Sequence, residues 1–209
     1  MASAVEPRGE IDRTNVSHLV RCGIELGLIE CVVVLLLSFI TRFTAGTVES
    51  VLMAIVLIVG LGCVCGLPGT WTRAYTIEGI AGAAGIGLGA AFTFLLVDVS
   101  ILQPIGTYTN RWLQIGGFAN WWYHPVWWML GTYLPWMGGW ILANQTAKDG
   151  RPSIVRMTLS GIIFAVLFAI AAILIGFPGA VWRVPTFGVA FLPGIAAAAV
   201  YSGLGLRRR

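Results

Sequence analysis

The chain has 209 residues, of which 57% are hydrophobic and only 11% are charged, and its net charge at pH 7 is +4. Soluble domains carry about 25% charged residues, so this chain lacks the polar side chains that coat a water-soluble globule. The composition therefore excludes a soluble enzyme, a nucleic-acid-binding domain and a disordered chain. It predicts a protein that is embedded in the lipid bilayer, and no nucleic acid is expected as a partner.

Six apolar segments follow one another along the chain, each close to the ~20 residues that cross hydrocarbon. Runs such as CVVVLLLSFI do not alternate apolar and polar residues as barrel strands do. Backbone amides in hydrocarbon must be paired within the segment, so these runs predict helices. The sequence predicts an all-α polytopic membrane protein with six transmembrane helices, at residues 23–40, 50–67, 77–102, 121–144, 157–177 and 186–206.

If the chain crosses the membrane six times, its lysines and arginines are unevenly distributed between the two sides of the membrane. Ten of the thirteen lie on the side of the termini, and three lie on the other, namely Arg42, Arg111 and Arg183. Because cytoplasmic loops retain basic residues, both termini are expected in the cytoplasm and the protein in a cell inner membrane. We divide this single membrane domain into a cytoplasmic N-terminal segment, two three-helix units and a basic tail, at residues 1–20, 21–105, 106–206 and 207–209.

A short motif occurs twice, once after the second predicted helix and once after the fifth. GLPGTWTRAYT begins at residue 66 and GFPGAVWRVPT at residue 176, with five identical positions at a constant offset of 110 residues. The matched residues are Gly66, Pro68, Gly69, Arg73 and Thr76 in the first copy and Gly176, Pro178, Gly179, Arg183 and Thr186 in the second.

Gly-x-Pro-Gly is typical of a helix end, because proline cannot continue a helix and glycine accepts the cap conformation. The arginine can then reach the headgroups, and the threonine can cap the next helix. Three helices per copy is an odd number, so a duplicated unit would insert in the opposite orientation. Inverted repeats are common in secondary transporters, and they favour transport here. The alternative is two unrelated hairpins with similar turn chemistry.

Glu30 is the strongest candidate for a functional residue. It is the eighth residue of the first predicted helix, which puts it about 10 Å deep, where an ionised carboxylate is expensive. Gly23 and Gly27 share its helix face and permit a close neighbour. We expect Glu30 inside the bundle, either as a proton-titrating or cation-binding group or as a structural glutamate in a helix interface.

Asp98 and Gln103 are the other candidates for a solute or ion pathway. Asp98 comes late in the third predicted helix, so it is expected near the external headgroups, where an acid costs little. A helix interrupted there, or a re-entrant turn through residues 103–106, would instead make it line a cavity. Small residues earlier in this helix, at positions 79, 83, 87 and 91, predict close packing on a neighbouring helix.

Tryptophan is concentrated in one stretch, because seven of the nine lie between Trp112 and Trp140. Tryptophan collects at membrane interfaces, so an aromatic belt at the start of the fourth helix is the simpler interpretation. The stretch could instead dock a partner helix, a pigment or a quinone through Trp121, Trp122, His124, Trp127, Trp128 and Trp136. His124 could be a lone axial ligand of a haem or chlorophyll. A bis-histidine haem is excluded because no predicted span holds a second histidine.

No nucleophile–base pair, phosphate loop, dinucleotide fingerprint or metal-ligand spacing occurs in the sequence, so we expect no enzyme, no cofactor and no metal. The preferred function is a small channel or transporter for a small solute or ion. The alternative is a non-catalytic subunit of a larger energy-transducing or pigment-bearing membrane complex. In either case the expected protein partners are further copies of the chain or other membrane subunits.

Overall fold

The computed structural model describes residues 12–110 and 123–204, and the regular structure in this part of the chain is helical throughout. A π-helical segment, Asp98–Leu102, directly follows the third helix. The all-α prediction is confirmed for these residues. The six long helices are α1 Val16–Phe43, α2 Gly46–Trp71, α3 Ile77–Val97, α4 Tyr123–Asp149, α5 Ile154–Leu174 and α6 Val184–Gly203.

Five of the described helices are long and apolar enough to cross a membrane, and α4 is not among them. It has 27 residues, but tryptophan, tyrosine, proline and glycine lower its hydropathy. It nevertheless packs against α2, α3 and α6, which places it within the bundle. The prediction of a multi-pass membrane protein is therefore confirmed, whereas a sixth crossing by α4 stays a prediction.

The outer surface of the bundle is apolar. Large hydrophobic side chains that are more than half exposed occur on all six helices, for example Phe39, Val59, Phe92, Met129, Ile163 and Val189. Extended apolar surface of this kind marks contact with lipid or with another protein. The arrangement is the one expected when hydrocarbon rather than water surrounds the helices.

The first and third helices run parallel and in contact. A Cβ on Gly23 would meet Gly89, whereas a Cβ on Gly27, one turn further along α1, would meet Thr93, which is further along α3. Helices that follow one another in the chain are antiparallel. For example, Ala83 of α3 lies against Gly139 of α4, whereas Ala91, later in α3, lies against the earlier Gly131. The six helices therefore alternate in direction.

The two ends of the described chain lie at the same end of the bundle. The N–H of Arg13 donates to the carbonyl of Thr72, just after α2, at 2.8 Å. Lys148 Nζ, late in α4, donates to the carbonyl of the last described residue at 2.6 Å. The last turn of α2 packs on the second half of α4, where Gly69 contacts Gly139. We call this the terminal end of the bundle, and the opposite one the far end.

Three of the four small residues of α3 that the sequence predicts to pack on a neighbouring helix contact α4, and the fourth, Gly79, contacts Asp12 and Ala74 instead. Ala83 lies against Gly139, and both Gly87 and Ala91 lie against Gly131. Small side chains let two helix backbones approach within van der Waals range. This contact holds α4 against the first three helices.

In the first copy of the Gly-x-Pro-Gly motif, Pro68 and Gly69 lie inside α2, which continues to Trp71. The prediction that this copy ends the helix is wrong. A Cβ on Gly66 would lie 2.7 Å from Ile154 of α5, and Gly69 packs on α4, so tertiary contacts hold this turn helical. Proline removes only one backbone hydrogen bond from the helix. The chain turns instead at Arg73, which has φ +49°.

The second copy follows the prediction more closely. Helix α5 ends at Leu174, and the N–H of Gly176, which has φ +68°, donates to the carbonyl of Ile173 at 3.1 Å. Pro178 and Gly179 lie in the turn that follows. This is a glycine-capped helix end, in which glycine accepts the left-handed conformation without strain.

The arginines and threonines of the two copies also occupy different positions. Thr76 caps α3 as predicted, because its hydroxyl accepts the N–H of Glu78 at 3.2 Å. Thr186 lies inside α6, whose N-cap is Arg183 with extended backbone, so the prediction that Thr186 caps this helix is wrong. Arg73, which the sequence aligns with Arg183, has a left-handed backbone conformation. The inverted repeat stays a prediction based on sequence.

Candidate functional site

The candidate site lies where α1 packs most closely on α3. A Cβ on Gly27 would stand 2.7 Å from both the carbonyl oxygen of Ala90 and Cβ of Thr93. A Cβ on Gly23 would stand 3.1 Å from Cα of Gly89. Glycine at 27 is required for this approach, which brings the next turn of α1 into the interior of the bundle.

Glu30 lies on that next turn and is only 5% exposed. The prediction that it lies inside the bundle rather than against lipid is confirmed. Its carboxylate accepts no hydrogen bond from any residue that the structure describes, and Oε2 is fully buried. An unsatisfied buried polar group costs about 1–3 kcal/mol. Fold stability therefore does not explain why a carboxyl group stands here.

Asp98 is a second buried carboxyl group, with none of its surface exposed. Gln103 Nε2 donates to its Oδ2 at 2.7 Å, and the hydroxyl of Tyr108 donates to its Oδ1. The expectation that Asp98 lies among exposed headgroups is wrong. It begins the π-helical segment, whose wider turn joins the N–H of Gln103 to the Asp98 carbonyl, and the loop that follows folds back over the acid. The helix changes from α to π geometry at Asp98 and continues to Leu102, and the alternative that Asp98 lines a cavity stays a prediction.

The loop after the π-helical segment closes over the far end of α1. Ser38 Oγ donates to the carbonyl of Thr107 at 2.5 Å, and Arg42 Nη2 donates to the carbonyl of Gly106 at 2.7 Å. The hydroxyl of Thr107 is buried and has no hydrogen-bond partner among the described residues. A second unsatisfied oxygen therefore lies at the same end as Asp98.

These polar groups are stacked along the direction of α1. Helices α1 and α3 are parallel, and Gly27 of α1 lies at the same height as Thr93 of α3. Asp98, five residues after Thr93, therefore lies at a height between those of Glu30 and Ser38 on α1. Eight residues of helix separate Glu30 from Ser38, or about 12 Å at ~1.5 Å per residue. The side chains that pack between these levels form one apolar cluster, Cys31, Val34, Phe94, Leu95 and Leu102.

The tryptophan-rich stretch does not form one surface. Trp127 packs edge-on against Phe94 at a centroid distance of 4.7 Å, inside the bundle. Trp128, Trp136 and Trp140 are exposed on the outside of α4, and the rings of the last two are 6.4 Å apart. Trp121 and Trp122 lie outside the described residues.

The two histidines of the chain lie at opposite ends of the bundle. His124 is in the first turn of α4, at the far end. Helix α1 begins at Val16, earlier than predicted, so His18 lies in a long apolar helix at the terminal end. The expectation that no long apolar helix holds a second histidine besides His124 is therefore wrong. His18 Nε2 lies 3.1 Å from the carbonyl oxygen of Trp71. Because His18 and His124 lie at opposite ends of the bundle, they do not share a haem.

Asp12 is a buried acid whose contacts the sequence does not predict. Its carboxylate accepts the N–H groups of Tyr75, Thr76 and Gly79 at 2.9, 3.2 and 3.0 Å, together with the hydroxyl of Thr76. Burial alone raises the pKa of Asp12, but these four hydrogen bonds outweigh it and hold the pKa below its ordinary value of 3.8. Its partners lie more than sixty residues away, so no local pattern reveals them.

The helices, their apolar exterior and the buried acids define an α-helical multi-pass membrane protein with carboxyl groups between its first and third helices. Comparison of the chain with protein-family models, with curated proteins and with solved structures finds no match.

Proposed function

We propose that the protein is a small channel or transporter for a small solute or ion, with its pathway beside Glu30. The observation that supports this is the buried carboxylate itself, which has no hydrogen-bond partner among the described residues. Ionisable groups inside a membrane bundle are costly, and those that are retained usually mark an ion or substrate route. Proteins tolerate a destabilising group of this kind where function needs it.

In this proposal α4 is the sixth transmembrane helix. Its 27 residues span about 40 Å, more than the ~30 Å of hydrocarbon. Six of the eight described basic residues lie toward the terminal end, and Arg42 and Arg183 lie at the far end. Since basic residues stay in the cytoplasm, both termini are proposed to be cytoplasmic and the membrane to be the inner one.

The proposal keeps the two three-helix units as an inverted repeat. The alternating helix directions are compatible with it, because the first helix of one unit runs opposite to the first helix of the other. Inverted units commonly place a substrate site between them near the middle of the membrane. Glu30, about halfway along the 28 residues of α1, lies at such a depth.

The test is flux through proteoliposomes that contain the purified full-length chain. Glu30→Gln keeps the shape of the side chain and removes its charge, so solute or ion flux is expected to fall while thermal stability in detergent is maintained. Glu25→Gln is the matched control, because Glu25 is exposed on the same helix and pairs with Arg21 at 2.8 Å. Equal flux in wild type and Glu30→Gln would contradict the proposed pathway.

A second candidate function is that of a non-catalytic subunit in a larger membrane complex. The observation that favours it is Trp136, which is 43% exposed at the midpoint of α4 and donates no hydrogen bond to a described residue. Tryptophan prefers the interface to the hydrocarbon centre, so a membrane belt does not account for this position.

Purification in a mild detergent distinguishes a subunit of a complex from a channel or transporter that acts alone. A subunit should purify with other chains, and Trp136→Leu should release them, whereas Phe39→Leu, which changes an exposed aromatic residue on α1, should not. A wild-type chain that purifies alone and remains folded would exclude the subunit function.

A further inference from the structure

Three buried side-chain oxygens have no hydrogen-bond partner in the described part of the chain, and two of them flank Asp98. Oε2 of Glu30 lies deeper in the bundle than Asp98, and Oγ1 of Thr107 lies nearer the far end. The third, Oγ1 of Thr158, is on α5 beside Gly62, away from this row. A buried oxygen without a protein partner is where an internal water molecule gains hydrogen bonds.

The groups between these two oxygens are able to pass a proton. Asp98 is held by the phenolic hydroxyl of Tyr108 and the amide of Gln103, and it lies between the levels of Thr107 and Glu30. Carboxyl and hydroxyl groups can each accept a proton on one side and release one on the other. The π-helical turn that carries Asp98 is a local irregularity of the kind often found at functional sites.

The surroundings are too apolar for a larger ion. Selective ion sites replace the hydration shell with rings of carbonyl or carboxylate oxygens. Around the row, the polar side chains Gln103, Tyr108 and Ser38 are few and form no ring of oxygens. The other side chains that pack there belong to the apolar cluster of Cys31, Val34, Phe94, Leu95 and Leu102. A proton needs only a chain of single hydrogen-bonded groups and waters.

We propose that the species carried past Glu30 is a proton, which enters through the loop at Thr107 and reaches Glu30 by way of Asp98. This inference rests on the proposed transport function and names its substrate. Each step breaks one O–H bond and forms another. A proton passes from water to the Asp98 carboxylate and then through a second water to the Glu30 carboxylate. Glu30 releases it to a third water on the side of the terminal end, and its carboxylate is restored.

Few other titratable groups face Glu30. Cys31 lies beside it on α1, Asp98 comes from the π-helical segment and Tyr108 from the loop. On α2, Val56 and Leu57 pack on the far half of α1. The buried acid of α2, Glu49, lies in its first turn at the far end, well away from the level of Glu30. The pH dependence of flux should therefore come from the two carboxyl groups.

The experiment measures proton entry into proteoliposomes loaded with a pH-sensitive dye. Glu30→Gln and Asp98→Asn should each lower proton flux by about a hundredfold, the low end of what a positioned proton-transfer group contributes. Thr107→Val removes only the hydroxyl and should also lower it. The matched control is Thr158→Val, which removes the buried hydroxyl that lies off the row and should leave proton flux unchanged.

The outcomes separate the inference from the proposed function. Wild-type vesicles that carry sodium or potassium but not protons would overturn the proton path and leave transport standing. Loss of proton flux in Glu30→Gln with normal flux in both Asp98→Asn and Thr107→Val would overturn the route. Vesicles that conduct no proton, ion or solute tested would contradict the proposed function and the path together.

Infrared spectroscopy provides a readout that does not depend on net flux. The carboxyl band that disappears in Glu30→Gln should shift when the protein is transferred to D2O, and the shift should be slower in Thr107→Val than in wild type or Thr158→Val. Equal exchange rates in all three proteins would overturn the route, even if Asp98→Asn does not fold.

Discussion

Gly87 of α3 and Gly131 of α4 touch backbone to backbone, because a Cβ on Gly87 would lie 1.9 Å from the carbonyl oxygen of Gly131. Gly85, two residues earlier on the same helix, has no described atom within 4 Å of its Cβ position. One helix thus contains a glycine that its neighbour requires and a glycine that faces open space. The two positions form a natural pair for testing how closely α3 and α4 must approach.

We predict that Gly87→Ala destabilises the protein and that Gly85→Ala does not. The added methyl group at 87 must push α4 away, and overpacking of this kind costs about 1–3 kcal/mol. At 85 the change should be within about 1 kcal/mol, the difference in helix propensity between the two residues. Thermal unfolding in detergent measures both, and equal melting temperatures would contradict the packing described for α3 and α4.

Glu30→Met is predicted to stabilise the fold while it abolishes transport. Methionine has a similar unbranched shape and needs no hydrogen bond, so it should remove the penalty of an unsatisfied buried group, about 1–3 kcal/mol. Glu25→Met, at an exposed position on the same helix, should change stability little. A lower melting temperature for Glu30→Met than for wild type would indicate that Glu30 holds the helices together.

Asp12 is predicted to make stability depend on pH in the acidic range. Its pKa in the folded protein lies below 3.8, so its contribution is complete above that pH and is lost as the pH falls through the folded pKa. Asp12→Asn should cost about 1–2 kcal/mol near neutral pH, as loss of a helix-capping carboxylate does. The difference in melting temperature between wild type and Asp12→Asn should shrink on acidification, and a constant difference would contradict this role.

Cysteine labelling is predicted to place positions 147 and 105 on opposite sides of the membrane. Ala147 is exposed at the terminal end of α4, and Ile105 is exposed at the far end. In a variant whose four native cysteines are replaced by alanine, an impermeant maleimide should label Ala147→Cys only from the cytoplasmic side and Ile105→Cys only from outside. Labelling of both from the same side would exclude a sixth crossing by α4.

The sequence alone was sufficient to predict the approximate positions of the six long helices and the interior position of Glu30, although α1 begins seven residues earlier than predicted. Hydropathy is a property of each segment by itself, so it identifies helices without knowledge of the fold. The spacing of Gly23 and Gly27 identifies the face of α1 on which another helix can pack closely. The same local reasoning predicts the packing face of α3, which lies on α4 through Gly87 and Ala91. These features depend on residues within a few turns of one helix, so they can be read from the chain itself.

The tertiary structure decided the features that join residues far apart in the chain. Pro68 stays inside α2 because the turn around it packs on α4 and α5. Asp98 is buried because a π-helical turn lets Tyr108 fold back onto it, and Asp12 finds its partners at the start of α3, more than sixty residues later. Local propensity and hydropathy contain no information about such contacts, because their energy exists only once the helices have packed together.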